Sequence, residues 1–416
     1  MTGRIVVAGA SMGGLRAAEQ LRAAGWTGEI TVLGDEPHMP YNRPPLSKEA
    51  LAGETPFSSL AFTPRASTAD VTWRLNTTVT AARLMERIVE LDGGERLGYD
   101  GLVVATGTRP RRLRCAGPSG PGSGRHTVRT LADAHGLRAA LTRRGARVVV
   151  IGAGFIGCEV AATATGLGVA EVTVVAPEPL PMLRPLGAPL ARELRRRHEL
   201  RGVRFALGRG VTRFQGGERI SGVVLEDGSV LPADVVVEAV GSLPATTWLE
   251  GNGLDLSDGV LTDALLRAVA HGDAVPEVVA VGDVARFPNA RYDTVARRVE
   301  HWSIPGDTAK RAARTLVAAL TGAEPDPTPF APLPTFWSDQ HDFRLQSFGA
   351  PGFGTADIRI LDGDLAGDVV AGYHTADGRL TGVVALGGRT AVAAAARYRA
   401  RLLQQPALTA PTPATV

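Results

Sequence analysis

Two glycine-rich loops are spaced like the loops that hold the phosphates of a dinucleotide. Their residues are Gly9, Ser11, Gly13 and Gly14 in the first loop, and Gly152, Gly154, Phe155, Ile156 and Gly157 in the second. Glycine allows a tight turn and a close approach of helix to strand, and the free N–H groups at a helix start bind phosphate. One such loop is weak evidence, whereas two of them predict two dinucleotide-binding sites.

Two acidic residues stand where a flavin dinucleotide needs hydrogen-bond acceptors. Asp35 follows the second strand of the first unit, where a carboxylate can accept bonds from the adenosine ribose. Asp283 follows a later strand, where a carboxylate can bind the ribityl hydroxyl groups. Alone, Asp283 is equally well explained as a helix cap, but the two acids and the first loop together favour FAD in the first unit.

The second unit is expected to bind NADH or NADPH, and the sequence leaves the choice open. Its second strand runs into Ala176, where an acidic residue would normally bind the ribose hydroxyl groups. Glu178 lies two residues late. Arg184, farther along, could bind the 2′-phosphate of NADPH.

The first loop also matches the pattern G-x-S-x-G of serine hydrolases, with Ser11 in the serine position. A nucleophilic serine needs a positioned histidine and an acid. The second glycine loop and the acidic residue at 283 have no place in a hydrolase, so this alternative is set aside.

The elements that must position these residues are short apolar strands and helices. The first loop lies between the strand Arg4–Ala8 and a helix ending near Gly25, and the strand Glu29–Leu33 follows. The same order returns around the second loop, with strands at 147–151 and 171–175. Further apolar strands are expected at 99–107, 233–241 and 278–283. The five prolines of 323–334 indicate a linker, before a region of short strands and a helix at 391–403.

Length and composition indicate a globular protein of several domains. The chain has 416 residues, which is more than a single hydrophobic core usually serves, and 44% of them are hydrophobic. No apolar run approaches the ~20 residues of a membrane span, and no signal peptide is evident, so a cytoplasmic location is expected. The net charge of +3 gives no indication of nucleic-acid binding. No metal site is expected.

Several motifs, in their order along the chain, resemble those of the FAD-dependent ferredoxin reductases of the glutathione-reductase fold, the family of putidaredoxin reductase and rhodocoxin reductase. The resemblance covers residues 4 to about 403. Its motifs are RPPLSK at 43–48, Ala105-Thr106-Gly107, the second glycine loop with Glu159, Val281-Gly282-Asp283, VEHW at 299–302 and FWSDQ at 336–340.

The resemblance implies a role for each matching position. Lys48 and Glu159 are expected to form an ion pair beside the flavin and nicotinamide rings, and Lys48 is one of only two lysines in the chain. Trp337 is expected on the path by which electrons leave. Besides the first loop, the residues expected to contact FAD are Asp35, Arg43, Lys48, Val79, Ala105, Thr106, Gly107, Arg129, Asp283 and Trp302. NAD(P) is expected to contact the second loop, Glu159, Glu178 and Arg184.

The expected fold is α/β, with two Rossmann-like dinucleotide-binding domains and a small C-terminal α+β domain. The FAD domain is expected to be split, at 1–107 and 241–321, by an inserted NAD(P) domain at 108–240. The C-terminal domain would cover 322–405, and the Pro/Ala/Thr-rich tail at 406–416 is expected to be disordered.

The resemblance implies a ferredoxin reductase. Hydride would pass from NAD(P)H to FAD, and single electrons would pass to an iron–sulfur ferredoxin that serves a monooxygenase. The alternative is an FAD- and NADH-binding redox sensor or scaffold of the apoptosis-inducing-factor type. A rubredoxin or nitrite-system reductase would differ only in its partner. An acidic ferredoxin is expected to dock on a basic patch of six arginines, Arg286, Arg291, Arg297, Arg298, Arg311 and Arg314.

The positions of the two cysteines, Cys115 and Cys158, exclude other enzyme classes of the same fold. Disulfide reductases and cysteine-dependent NADH oxidases or peroxidases need redox cysteines beside the flavin, and residues 36–60 contain none. Cys158 stands at a helix start, where a thiol can be reactive, but a small packed residue is the favoured interpretation.

Overall fold

The computed structural model of the chain describes residues 3–405, and the expected disordered tail at 406–416 lies outside these residues. The first unit begins with the predicted alternation of strand, helix and strand. Its strands are β1 (Arg4–Ala8), β2 (Glu29–Leu33), β3 (Thr72–Arg74), β4 (Val79–Arg83), β5 (Ile88–Leu91), β6 (Arg96–Gly98) and β7 (Gly101–Val104). Its helices are α1 (Met12–Ala23), α2 (Glu49–Ala52) and α3 (Phe57–Leu60).

The second unit repeats the pattern in β10, α5 and β11 and continues for five more strands. Its strands are β8 (Thr108–Pro110), β9 (Arg125–His126), β10 (Arg147–Ile151), β11 (Glu171–Ala176), β12 (Val203–Leu207), β13 (Val211–Gly216), β14 (Ile220–Leu225), β15 (Val230–Pro232) and β16 (Val235–Glu238). Its helices are α4 (Leu131–Leu141), α5 (Phe155–Gly166) and α6 (Leu183–Glu199).

The remaining elements return to the first unit and then form the C-terminal region. The strands are β17 (Ser242–Pro244), β18 (Val260–Leu261), β19 (Arg267–Ala270), β20 (Asp273–Ala280), β21 (Ala285–Phe287), β22 (Arg297–Arg298), β23 (Thr335–Gln340), β24 (Phe343–Gly349), β25 (Asp357–Gly363), β26 (Val369–His374) and β27 (Leu380–Gly387). The helices are α7 (Ile304–Thr321) and α8 (Arg389–Gln404). None of the helices between residues 3 and 405 is both long enough and apolar enough to cross a bilayer.

Two mainly parallel sheets carry the two glycine loops. The first sheet has the order β19-β20-β7-β1-β2-β3, and the second has the order β12-β11-β10-β16-β9. In the first sheet, β20 pairs in parallel with β7, so strands from both sides of the second unit share one sheet. β1 and β10 lie inside their sheets and are buried almost completely, as their apolar sequences predict. The predicted fold class is confirmed.

The C-terminal sheet is antiparallel, with the order β23-β24-β27-β26-β25, and α8 packs on it. The expected linker at 323–334 contains no helix or strand. The expected helix at 391–403 is observed as α8, two residues longer at its start.

Helix α6 of the second unit shares a core with the C-terminal sheet. Its apolar side chains pack with those of the sheet in one buried cluster, which contains Cys158, Met182, Leu186, Leu190, Leu194, Phe343, Leu345, Val369, Ala371, Tyr373, Val384 and Leu386. Gly187 kinks the helix, and a Cβ there would lie 2.4 Å from Ile358 of the sheet. The hydroxyl of Tyr373 donates to the carbonyl of Leu186 over 2.7 Å. The second unit and the C-terminal region are therefore packed as one body at this contact.

Candidate active site

Two adjoining cavities lie at the carboxyl ends of the parallel strands, where α/β proteins bind ligands. The outer cavity has a volume of about 570 Å³ and is lined by Gly9, Asp35, Thr106 and other residues. The inner cavity, of about 630 Å³, is lined by residues of both glycine loops and of the C-terminal sheet. Ser11, Arg43 and Arg129 line both cavities, which therefore form one continuous cleft.

The glycine loops leave no room for side chains where the chain turns. A Cβ on Gly9 would lie 2.2 Å from the carbonyl oxygen of Ala105, and one on Gly14 would lie 1.9 Å from that of Gly9. Ser11 caps α1, yet its side chain makes no capping hydrogen bond, and the first turn holds no acidic residue. Free N–H groups at this helix start therefore suit a phosphate.

The wall between the two cavities is held by charged groups that bind one another. The guanidinium of Arg43 donates to Glu36 over 2.5 Å and to the carbonyl of Arg129 over 2.6 Å. A terminal nitrogen of Arg129 lies 3.9 Å from a carboxylate oxygen of Asp283. Burial raises the pKa of the Asp283 carboxyl, while the charge of Arg129 lowers it. These groups offer donors and an acceptor to a polar ligand in the cleft.

An ion pair between Lys48 and Glu159 lies in the inner cavity. The ammonium nitrogen of Lys48 is 2.8 Å from Oε2 of Glu159, and the hydroxyl of Ser47 donates to the same oxygen over 2.5 Å. The hydroxyl of Ser338 donates to the other oxygen, Oε1, over 2.6 Å. Glu159 is only 6% exposed, and three donors satisfy its charge. The predicted pairing of Lys48 with Glu159 is therefore present in the geometry.

Aromatic residues close the inner cavity. The rings of Trp302 and Trp337 meet edge to face with their centroids 5.4 Å apart, and the indole of Trp302 donates to the side-chain oxygen of Asn42. Trp302 is 41% exposed, so one aromatic pair joins the cavity to the surface.

His301 also lines this cavity, and its ring lies 5.0 Å from that of Phe336. Burial lowers the pKa of His301 to about 4, so the ring is neutral. Within residues 3–405, its Nδ1 is buried without a hydrogen-bond partner.

Most of the predicted site residues line the cleft, but some do not. Among those expected to contact FAD, Val79 lies in β4 and packs on the core of the first unit, outside both cavities. Gly14, Gly152 and Gly157 allow close packing beneath the loops. Glu178 and Arg184 lie beyond the end of β11, also outside both cavities, with 3.8 Å between their charged groups.

Arg209 adjoins this strand end, because its N–H donates to the carbonyl of Ala176 over 3.2 Å. Arg209 was not among the predicted site residues. The guanidinium of Arg209 binds Asp227 over 2.7 Å.

Residues that were not singled out as site residues complete the site. Ser47 and Ser338 bind Glu159, and both stand in motifs that were recognised, RPPLSK and FWSDQ. His301 stands in the motif VEHW. The sequence motifs indicated the segments that contain these residues. Only the geometry shows which residues of each motif take part in the site.

The expected patch of six arginines is not a free basic surface. Carboxylates or carbonyls of the same chain bind five of them. The partners are Asp255 for Arg286, the carbonyls of Leu402 and Ala331 for Arg291, Asp293 for Arg297, Asp258 and Glu300 for Arg298, and Asp326 for Arg311. Only Arg314 of the six is exposed with no ion pair within the described part of the chain. The expected patch is absent because carboxylates and carbonyls of neighbouring segments bind these arginines. The sequence pattern did not predict that these groups would lie there.

Cys158 is buried completely, and burial raises the pKa of its thiol to about 12. Cys115 also has a raised pKa, because it is partly buried, and neither cysteine is in a disulfide. The packed interpretation of Cys158 therefore agrees with the structure.

Comparison with known proteins gives a consistent result. The family model described as pyridine nucleotide-disulphide oxidoreductase matches residues 3–309, and the model described as reductase C-terminal matches residues 335–411. A probable ferredoxin reductase, CtmF, of Castellaniella defragrans is 37% identical over 91% of this chain and 89% of its own. The ferredoxin–NAD(+) reductase component of the biphenyl dioxygenase system of Paraburkholderia xenovorans is 35% identical, over 84% of this chain and 81% of its own.

A solved structure supports the same similarity. In a crystal structure of the covalent complex of putidaredoxin reductase with putidaredoxin, one chain matches 96% of this chain and 93% of its own length, with 31% identity and a TM-score of 0.84. The resemblance seen in the motifs is thus confirmed over nearly the whole chain.

Proposed function

The chain belongs to the pyridine nucleotide-disulphide oxidoreductase family, and we propose that it is the NADH-dependent, FAD-containing ferredoxin reductase of an oxygenase system. The similar proteins are reductases of ferredoxins, one of them in a dioxygenase system. One observation carries the proposal. A single cleft joins both glycine loops, and the Lys48–Glu159 ion pair lies where they meet.

The cleft suits FAD along its whole length. The start of α1 would hold the phosphates, Asp35 would bind the adenosine ribose, and Asp283 would bind the ribityl chain. When bound, FAD supplies the conversion of a two-electron hydride into single electrons.

Lys48 and Glu159 would prepare the inner cavity for charge transfer. Lys48 sets a positive charge in a site that is largely shielded from water, where it interacts strongly with negative charge. Glu159 holds the ammonium group in one place, because it is fixed by Ser47 and Ser338. We assign both as catalytic residues, and the remaining residues of the cleft named above as cofactor-binding residues.

The second loop would hold the pyrophosphate of NADH at the start of α5. Gly154, Phe155 and Ile156 line the inner cavity at this point. Because Ala176 offers no carboxylate to repel a 2′-phosphate, discrimination against NADPH would be weak. Glu178 would bind the ribose hydroxyl groups of NADH, and its ion pair with Arg184 would offset its repulsion of a 2′-phosphate.

Electrons would leave through the aromatic pair Trp302 and Trp337. Helix α7 begins two residues after Trp302, and its exposed face carries Lys310 and Arg314. Burial raises the pKa of the Asp307 carboxyl in α7, and the charges of Lys310 and of Arg399 in α8 both lower it. Arg399 therefore lies near the same part of α7 as Lys310. We name Lys310, Arg314 and Arg399 the cationic face. It replaces the six arginines as the proposed docking surface for an acidic ferredoxin.

The domain limits remain a proposal, with FAD binding at 1–107 and 241–321, NAD(P) binding at 108–240 and the C-terminal domain at 322–405. The parallel pairing of β20 with β7 supports the split of the first domain. A cytoplasmic location is likewise proposed, and cell fractionation with an antibody against the chain would test it.

The test of the function has two arms. The purified chain should be yellow, and denaturation should release about one FAD per chain. With NADH, it should reduce a small acidic iron–sulfur ferredoxin, measured by the absorbance of the cluster. A colourless chain that takes up no FAD would overturn the proposal. A chain that binds FAD and NADH but reduces no ferredoxin would favour the redox sensor instead.

A further inference from the structure

A row of buried polar side chains continues from Glu159 away from the cleft. The side-chain amide of Gln340 donates to the hydroxyl of Ser338 over 2.9 Å. Its oxygen lies 2.7 Å from Nε2 of His198, whose Nδ1 lies 3.3 Å from Nε2 of His341. We name Ser338, Gln340, His198 and His341 the polar row.

The hydrogen bonds of the row all point toward Glu159. Because the Ser338 hydroxyl donates to Glu159 and accepts from the amide of Gln340, the amide oxygen must accept from His198 Nε2. His198 then accepts at Nδ1, which requires a neutral ring. Burial lowers the pKa of His198 to about 4, in agreement with this. The row is thus a one-directional set of donors that ends on a carboxylate.

Three separate parts of the chain build the row and the carboxylate at its end. Glu159 stands in α5, and His198 lies near the end of α6 with no exposed surface. Ser338 and Gln340 alternate along β23 with half-buried neighbours, so both side chains point to the same buried face. His341 follows in the turn to β24, with a φ of +51°, a conformation that costs a non-glycine residue free energy. Its contact with His198 accompanies this strained turn.

We propose that Ser338 and Gln340 are positioning residues that hold the Glu159 carboxylate toward Lys48 during hydride transfer. Among residues 3–405, Ser338 is the sole hydrogen-bond donor to Oε1 of Glu159, and Gln340 fixes the orientation of that hydroxyl. Without Ser338, the carboxylate would be free to rotate about the bonds that Lys48 and Ser47 make to Oε2. The inference rests on the proposed function, because it concerns the same ion pair.

The test compares Ser338→Ala with a matched control, Ser347→Ala. Ser347 stands in β24 of the same sheet and is equally buried, but its hydroxyl has no hydrogen-bond partner within the described residues. Both variants are first checked for bound FAD and thermal stability. Reduction of the flavin by NADH is then followed in stopped flow over a range of NADH concentrations, which separates the limiting rate from the dissociation constant of NADH.

Ser338→Ala should lower the limiting rate about tenfold, as expected for one lost hydrogen bond to a charged group, with the NADH dissociation constant unchanged. Gln340→Met should give a smaller loss, and Ser338→Thr, which keeps the hydroxyl, should restore most of the rate. Ser347→Ala should behave as the wild type.

Crystal structures of the two alanine variants provide a readout that is independent of turnover. In Ser338→Ala, the Glu159 carboxylate should be rotated about its contact with Lys48, with Oε1 displaced from the position seen here, and in Ser347→Ala it should not. An unchanged limiting rate in Ser338→Ala, or an equal loss in Ser347→Ala, would overturn the positioning role. A wild-type chain that binds no FAD would instead refute the proposed function itself.

Discussion

The ammonium nitrogen of Lys48 lies 2.8 Å from a carboxylate oxygen of Glu159, although 111 positions separate the two residues in the chain. Lys48 belongs to the first nucleotide-binding unit and Glu159 to the second. The ion pair therefore forms only when the two units are assembled, and neither unit contains the proposed catalytic site alone.

Replacing Lys48 with Met should slow the reduction of the flavin by NADH by ~10–100-fold. The variant loses a positive charge in a shielded site, and it leaves the buried Glu159 without its main partner. Bound FAD per chain should stay near one, because the other contacts of the cleft remain. Lys48→Arg keeps the charge and should lose less. A reduction rate equal to that of the wild type would show that Lys48 has no catalytic role.

Replacing Ala176 with Glu should raise the preference for NADH over NADPH about tenfold. A carboxylate at the end of β11 would bind the ribose hydroxyl groups and repel a 2′-phosphate. The measurement is kcat/KM for both coenzymes in the wild type and the variant. A wild type with a strong preference for NADPH would contradict this expectation. It would indicate that Arg184 or Arg209 binds the 2′-phosphate, and Arg209→Ala would then identify which arginine does so.

Charge reversal on the cationic face, Lys310→Glu, should lower the rate of ferredoxin reduction severalfold and leave flavin reduction by NADH unchanged. Raised salt should also slow ferredoxin reduction in the wild type, because it screens exposed charges. Arg213→Glu is the control, since Arg213 is an exposed arginine of β13 and lines neither cavity. Equal effects of the two reversals would show that overall charge, and not this face, governs docking.

Acid should destabilise the protein through its buried histidines. The folded-state pKa of His198 is about 4, below its ordinary value of 6.5, so the unfolded chain binds more protons between these values. Stability should therefore fall as the pH drops from 6.5 toward 4, with His198 contributing about 2–3 kcal/mol.

Thermal unfolding at several pH values can measure this contribution. His198→Phe should reduce the acid-dependent loss of melting temperature, whereas His135→Phe, at an exposed histidine, should not change it. The same acid sensitivity in His198→Phe as in the wild type would mean that other groups cause it.

Thiol reagents should not reach Cys158 in the native protein. Its side chain is fully buried and its pKa is raised to about 12 by burial, so almost no thiolate is present at neutral pH. Mass spectrometry after treatment with a maleimide should find Cys158 modified only when the chain is unfolded. The partly exposed Cys115 is the internal reference. Rapid native labelling of Cys158 would contradict its packed environment.

The parts of the fold that follow local rules were predictable from the sequence. The strands around both glycine loops agree with the expected ranges within a few residues, because apolar β-branched runs and glycine turns act locally. The pairing of Lys48 with Glu159 was expected from the resemblance alone. Spacing along the chain gives no indication of a contact between residues this far apart.

The parts that depend on tertiary neighbours were not predictable. His198 stands in a run of charged residues, RELRRRHEL, that resembles an exposed helix face, yet the C-terminal sheet covers it. Likewise, the arginines before α7 resembled a basic patch, but carboxylates from other segments bind them. In both cases the residues that bury or bind the side chain lie in a distant segment of the chain. A local sequence pattern cannot predict such a contact.

The shared core between α6 and the C-terminal sheet limits how this reductase can be engineered. Cutting the chain at the proline-rich linker would uncover the apolar side of α6 and remove Ser338 from Glu159. A self-sufficient fusion with a ferredoxin should therefore attach the added protein beyond α8. The linker should not serve as an exchange point between relatives unless α6 is exchanged together with the sheet.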